Sequence, residues 1–298
     1  MDTPMRTSLL LGTALAFFSC AAQAADLMVD EAVVAEASAP VSSAYAGYIS
    51  VYGSSTDSDI WGGEYSPWVG FGIDAAFSYW LTDSLQVEVE ASASTARESE
   101  YEEYGFTSTR AIGHLNWSVG DFSVGGFAGV VSVPSYYYGN SYGALVGLEG
   151  QVVLADAFVL DAQIGYQSST DGDNHSDDYP LGVAFGQIGV KYFPMDNLML
   201  AATVGGVQGE VYGEYYDMTA LTWSATLEYQ LEDTPFSVFA TYSGATGSDD
   251  AYYDVDNQTI KVGAKFSFDG MSLKDQATTG ASHKVMDLSS VDYNSYGW

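Results

Sequence analysis

Between residues 45 and 268 the chain is a series of period-two runs whose connections alternate between short and long, and that order limits the possible folds most. Leu221, Trp223, Ala225, Leu227, Tyr229 and Leu231 share one face of their run; Thr222, Ser224, Thr226, Glu228 and Gln230 share the other. Residues 85–93, 158–167 and 259–268 repeat the pattern, and Val69, Phe71, Ile73, Ala75, Phe77 and Tyr79 form a further stripe. Such alternation marks strands with hydrocarbon on one side and polar surroundings on the other. Weaker runs cover 46–53, 106–119, 122–133, 142–154, 180–193, 198–209 and 236–243, which brings the total to about twelve strands, an even count.

The connections carry the more specific signal. Residues 81–84, 119–121, 155–157, 194–197 and 232–235 are short turns rich in Asp, Gly, Pro and Asn. Between them lie longer polar stretches at 54–66, 94–105, 134–141, 168–179, 210–217 and 244–257. An all-β, antiparallel up-and-down barrel across an outer membrane has this order, with tight periplasmic turns and long acidic external loops. A soluble sandwich would mix hairpins with crossovers. Tyr79, Trp80, Trp117, Phe122, Phe158, Tyr192, Phe193, Tyr229, Phe236, Phe266 and Phe268 gather beside the short turns, as a girdle of rings at one membrane interface requires.

The ends read differently. Arg6, the apolar run 9–18 and Ala22-Gln23-Ala24 form an export signal over 1–24, with cleavage before Ala25. Residues 25–44 form a periplasmic leader, 45–268 the barrel and 269–298 a tail placed either in the periplasm or in the lumen. The only cysteine, Cys20, lies inside the signal, so the mature chain folds without disulfides. No later segment reaches the ~20 apolar residues of a membrane helix, which leaves a closed sheet as the way across. With 39 acids against 8 Lys and Arg, the formal charge of −31 excludes a nucleic-acid binder. The 14% aromatic content argues against disorder.

The chain resembles the small outer-membrane β-barrel proteins of Gram-negative bacteria and, more loosely, alphaproteobacterial porin-like proteins. Phe266-Ser267-Phe268 is similar to the terminal signal read by the barrel-insertion machinery, although here the chain continues to Trp298. Ser272-Leu273-Lys274 and Gly280-Ala281 resemble elements of the short tails of some such proteins. The resemblance implies a porin-like channel for small hydrophilic solutes. A non-conducting structural or adhesive barrel with an ion-paired, plugged lumen stays open as the alternative, with Pro134 to Tyr138 as an exposed aromatic tip.

Alternation sends Asp74, Glu88, Glu90, Glu149, Asp161 and Glu228 inward, with Arg110, His114, Lys191, Lys261 and Lys265. Ionisable groups at membrane depth face water or one another, so these are the candidate pore-lining residues, and Arg110 is placed to pair with Glu88 or Glu90. Acids crowd the long connections, including Asp57, Asp59, Glu64, Glu98, Glu100, Glu102, Glu103, Asp249, Asp254 and Asp256. They predict a mouth that attracts cations, giving a weak cation preference, or carboxylates bridged to lipopolysaccharide by divalent ions. No loop fits an EF-hand, since His175 stands at the third ligand position after Asp171 and Asp173. His114, His175 and His283 stand in no recognisable catalytic signature, so no enzyme, cofactor or resident metal is expected. Homo-oligomerisation is left open, because every barrel has an apolar outer wall.

Overall fold

In the computed structural model the described residues are 44–288, apart from 61–62, 65–66, 99–104, 136–138, 156, 171–180, 212–215, 250–253 and 269. The export signal, nearly all of the leader, Tyr136 to Tyr138, His175 and residues 289–298 lie outside them, as do Glu100, Glu102 and Glu103.

Twelve long strands form the wall: β1 (Tyr45–Ile60), β3 (Trp68–Trp80), β4 (Leu85–Glu98), β5 (Gly105–Val119), β6 (Phe122–Ser135), β7 (Gly139–Leu154), β8 (Phe158–Thr170), β9 (Leu181–Met195), β10 (Leu198–Val211), β11 (Tyr216–Gln230), β12 (Phe236–Asp249) and β13 (Asp254–Ser267). A two-residue strand, β2 (Gly63–Glu64), only extends the tip of β1. Every long strand pairs antiparallel with its sequence neighbours, and β13 returns to β1, from Tyr48↔Ser267 to Ile60↔Val255. The sheet is therefore closed and has no free edge, so its backbone polar groups are satisfied internally at membrane depth.

The two faces of the wall separate by chemistry. Ile49, Val51, Phe71, Ile73, Val89, Leu115, Val130, Val146, Leu148, Ile164, Leu227, Val238, Ile260 and Val262 are all exposed on the outside. A continuous apolar skin of this extent suits lipid and not water. No helix among the described residues is long and apolar enough to cross a membrane; the strands do so. Tyr79, Trp117, Phe122, Phe158, Tyr192, Phe236, Phe266 and Phe268 are exposed beside the short turns, with stacked or tilted ring pairs at Phe158–Tyr192 and Phe236–Phe266. Two members of the expected girdle are corrected. Phe193 is buried, and Trp80 turns its indole N–H to the carbonyl of Thr279 at 3.0 Å. Each follows an outward Tyr, so alternation sends it inside.

A second correction concerns the strand ends. β1 runs seven residues past Gly53, β4 reaches Glu98, and β12 and β13 take up most of 244–257. Beyond the membrane both faces of a strand are wetted, so pairing continues after the apolar alternation has ended. Asp57, Asp59, Glu98, Asp249, Asp254 and Asp256 therefore sit on paired strands.

The short turns are geometrically tight. Gly120 has φ +59°, a left-handed value that glycine adopts without strain, and Asp233 takes φ +55° in the turn 232–235.

Candidate functional site in the barrel lumen

The site is the barrel interior, and a main component of it comes from the tail. After β13 the chain turns back into the lumen. Helix α1 (Leu273–Thr279) is short and locally determined. Ser272 caps its start, accepting from the Asp275 N–H at 3.1 Å and donating to the Asp275 carboxylate at 2.9 Å. Gly280 ends it, its N–H donating to the Gln276 carbonyl at 3.0 Å. Leu273 and Ala277, one turn apart, bury with Val159 and Phe193 at the periplasmic end. The backbone N–H of Lys274 also donates to the Asp196 carbonyl in a short turn, at 3.2 Å.

From α1 the chain climbs the wall along a row of polar contacts. Gln230 holds the Met271 carbonyl at 3.1 Å, Gln151 holds the Ala277 carbonyl, and Gln86 reaches the Thr279 and Gly280 carbonyls at 3.2 and 3.3 Å. Higher up, His283 Nδ1 lies 3.1 Å from Glu88 and 3.2 Å from the Asn116 amide nitrogen. Lys284 Nζ donates to Asp74 at 2.8 Å, and Lys191 donates to the Ser282 carbonyl at 3.3 Å. Glu90 accepts two hydrogen bonds, from the Arg110 guanidinium through one oxygen and from the Val285 N–H, at 3.0 Å, through the other, which also lies 3.8 Å from His114 Nε2. Arg110 in turn donates to the Val285 carbonyl at 3.0 Å, and Gln163 brackets the same stretch through Lys284 and Met286. The tail's carbonyls and N–H groups thus find partners on side chains of the wall, as buried backbone must.

Apolar packing completes the seat. Val285, Met286 and Leu288 join Ile112, Phe127, Val131, Leu145, Phe185, Val207, Ala220 and Ala245 in one buried cluster. This patch on the inner wall lies on β5–β7 and β9–β12, and the tail packs against it.

All the inward candidates occupy the lumen face. Asp74, Glu88, Glu90, His114, Glu149 and Glu228 are buried there. The structure joins Arg110 to Glu90, His114 Nδ1 to Glu149 at 3.0 Å, Lys191 to Asp161 at 3.7 Å and Lys265 to Glu228 at 2.5 Å. Lys261 pairs with Asp287 of the tail at 3.5 Å, and its ammonium and that of Lys265 stand over the rings of Tyr52 and Tyr48. His283, Lys284 and Asp287, the tail's own contribution, are absent from the residues expected to line the lumen. So are Gln86, Asn116, Gln151, Gln163 and Gln230, inward amides whose recurrence was the available signal. Among the described residues no group of three or more His, Cys, Asp or Glu is arranged to hold a metal ion.

The tail does not fill the barrel. A cavity of ≈ 460 Å³ runs beside it, bordered by β1, β8–β13 and the tail's open side, with a smaller share from β3, β4, β5 and β7. Hydroxyls recur along its wall and pair across strands: Thr203 with Ser224 at 2.8 Å, Thr226 with Thr241 at 2.9 Å and Thr56 with Thr259 at 2.8 Å. A paired hydroxyl keeps acceptor capacity and can rotate, so this surface exchanges hydrogen bonds readily with water or a polar solute.

No family model matches the chain, and no curated protein is similar to it in sequence. Solved structures share its fold. An outer membrane channel from Pseudomonas putida superposes with a TM-score of 0.57 at 14% identity, over 80% of this chain and 100% of that one. The translocator domain of the autotransporter NalP from Neisseria meningitidis gives 0.46 at 14% identity, over 89% and 99% of the two chains. The toluene transporter TodX from Pseudomonas putida gives 0.39 at 13% identity, over 78% and 92%. The fold is that of Gram-negative outer-membrane barrels.

Proposed function

We propose that the protein is a porin-like outer-membrane channel for passive diffusion of small hydrophilic solutes, with a weak preference for cations. The observation that carries this reading is the hydroxyl-lined cavity of ≈ 460 Å³ beside the tail. A barrel serving only as a wall has no need of a hydrated space bounded by polar side chains, and twelve strands fall between barrels that fill and barrels that open. The cation preference follows from the lining. Among the described lumenal residues the carboxylates of Asp74, Glu88, Glu90, Glu149, Asp161, Glu228 and Asp287 outnumber the cations of Arg110, Lys191, Lys261, Lys265 and Lys284. The reading includes assembly by the barrel-insertion machinery through Phe266 and Phe268, and contact of the acidic strand ends with lipopolysaccharide through divalent cations. It includes no catalytic step.

Planar-bilayer recordings of refolded protein test the proposal. Discrete single-channel steps with a reversal potential on the cation side under a KCl gradient support it; anion preference contradicts the selectivity. A second reading, a non-conducting structural barrel, is favoured by the tail's seat against β4, β5 and β8. Absence of conductance both in the full chain and in a chain ending at Phe268 would establish that reading.

A further inference from the structure

The tail is one wall of the cavity. One side of residues 281–287 is bound to the barrel; the other borders the cavity. Lys284 and Asp287 project there with 48% and 45% of their side-chain surface exposed. No other charged side chain bordering the cavity is as open: Lys261 reaches 28%, and Asp74, Glu149, Asp161, Lys191, Glu228 and Lys265 reach less. The two tail charges have opposite sign and separate anchors. Lys284 meets Asp74 on β3, and Asp287 meets Lys261 on β13. β3 and β13 are the two neighbours of β1, with Asp74 paired to Ser50 and Lys261 paired to Ser54. The tail thus sets one ion pair on each side of β1's inner face, where Tyr48, Ser50, Tyr52 and Ser54 border the open space.

We propose that Lys284 and Asp287 are the selectivity-determining residues of the channel, a role that rests on the porin-like reading above. The physical reason is accessibility. A solute in the cavity passes well within a Debye length, ~8 Å at physiological salt, of both groups. The wall's buried charges are compensated and screened by their own partners. Removing the Lys284 ammonium leaves the Asp74 carboxylate for a passing cation; removing the Asp287 carboxylate leaves the Lys261 ammonium for a passing anion. The two substitutions therefore act in opposite directions, which a merely structural role for the tail would not produce.

The test is the reversal potential under a KCl gradient for the full chain, Lys284→Gln, Asp287→Asn and a chain ending at Phe268. Lys284→Gln raises the cation-to-anion permeability ratio about two- to fivefold, and Asp287→Asn lowers it by a similar factor, from one unit charge at contact distance in a wet site. The chain ending at Phe268 conducts more and discriminates less. Unmoved reversal potentials in both substituted channels, with the full chain conducting, would overturn this inference and leave the channel reading standing. A full chain that stays silent while the chain ending at Phe268 conducts would overturn this inference alone; silence in both would overturn the channel reading as well.

Discussion

Glu90 is where the tail's seat is most exposed to a single substitution. Its two oxygens serve two donors, the Arg110 guanidinium and the Val285 N–H, and its side chain is 2% exposed. An amide at this position has one acceptor oxygen. Glu90→Gln must therefore turn its NH₂ toward either a guanidinium or a backbone N–H, and in both cases donor meets donor. Removing one partner of a buried pair costs ~3–5 kcal/mol. The lower end applies, because Arg110 keeps the Val285 carbonyl at 3.0 Å. The penalty falls on the seated tail alone. Once the tail leaves, Arg110 and residue 90 face water in the lumen and the cost disappears. About 3 kcal/mol is ~100-fold in the ratio of seated to released tail. Amide hydrogen exchange of a peptide spanning 282–288 reads that ratio directly. Protection there should fall ~100-fold in Glu90→Gln while the strands keep theirs. In a chain ending at Phe268 the same substitution should leave the barrel's unfolding midpoint nearly unchanged. Full protection retained in Glu90→Gln, or an equal loss of barrel stability in the shortened chain, would refute the reasoning.

Three further outcomes follow from the wall. Leu148 is 65% exposed in the middle of β7, so Leu148→Arg puts a cation into lipid; ~2–4 kcal/mol is lost near the midplane, measured as a lower urea midpoint in vesicles. Gly147 faces the Phe127 ring and the Ile164 carbonyl, with no room for a methyl group; Gly147→Ala should cost ~1–3 kcal/mol in the same assay, and an unchanged midpoint would show that the ring has space to move. Replacing Phe266 and Phe268 together by Ala should reduce the heat-modifiable, membrane-inserted fraction in cells, whereas ending the chain after Phe268 should not.

Much of the barrel was legible because a membrane imposes one rule on each residue of a strand. Leu221 to Leu231 could be read directly, since lipid demands hydrocarbon at every second position and water inside permits Thr, Ser, Glu and Gln between. The same rule brought Glu90, Arg110, Glu149 and Lys265 to the lumen. It stopped working where lipid stops. Ser54 to Ile60 pair as a strand although their order carries no apolar alternation, so nothing in it distinguishes them from a loop. Trp80 and Phe193 show the opposite failure, where ring type suggested an interface and alternation, the stronger constraint, sent them inside. The tail was illegible in another way. Its helix spans seven residues and the rest follows no period, because its partners are wall side chains far away in sequence. Its composition held a hint. Leu273, Ala277, Val285, Met286 and Leu288 are too apolar for a segment left in water, and all five are buried.

A spin-label scan at 258–266 and 281–287, with oxygen dissolved in lipid as collider and a water-soluble nickel complex as its counterpart, probes the arrangement most directly. The account predicts oxygen collisions that rise at Ile260, Val262, Ala264 and Phe266, fall at Lys261, Gly263 and Lys265, and stay low throughout the tail. Lipid collisions on the tail, or accessibility along 258–266 without a period of two, would contradict it.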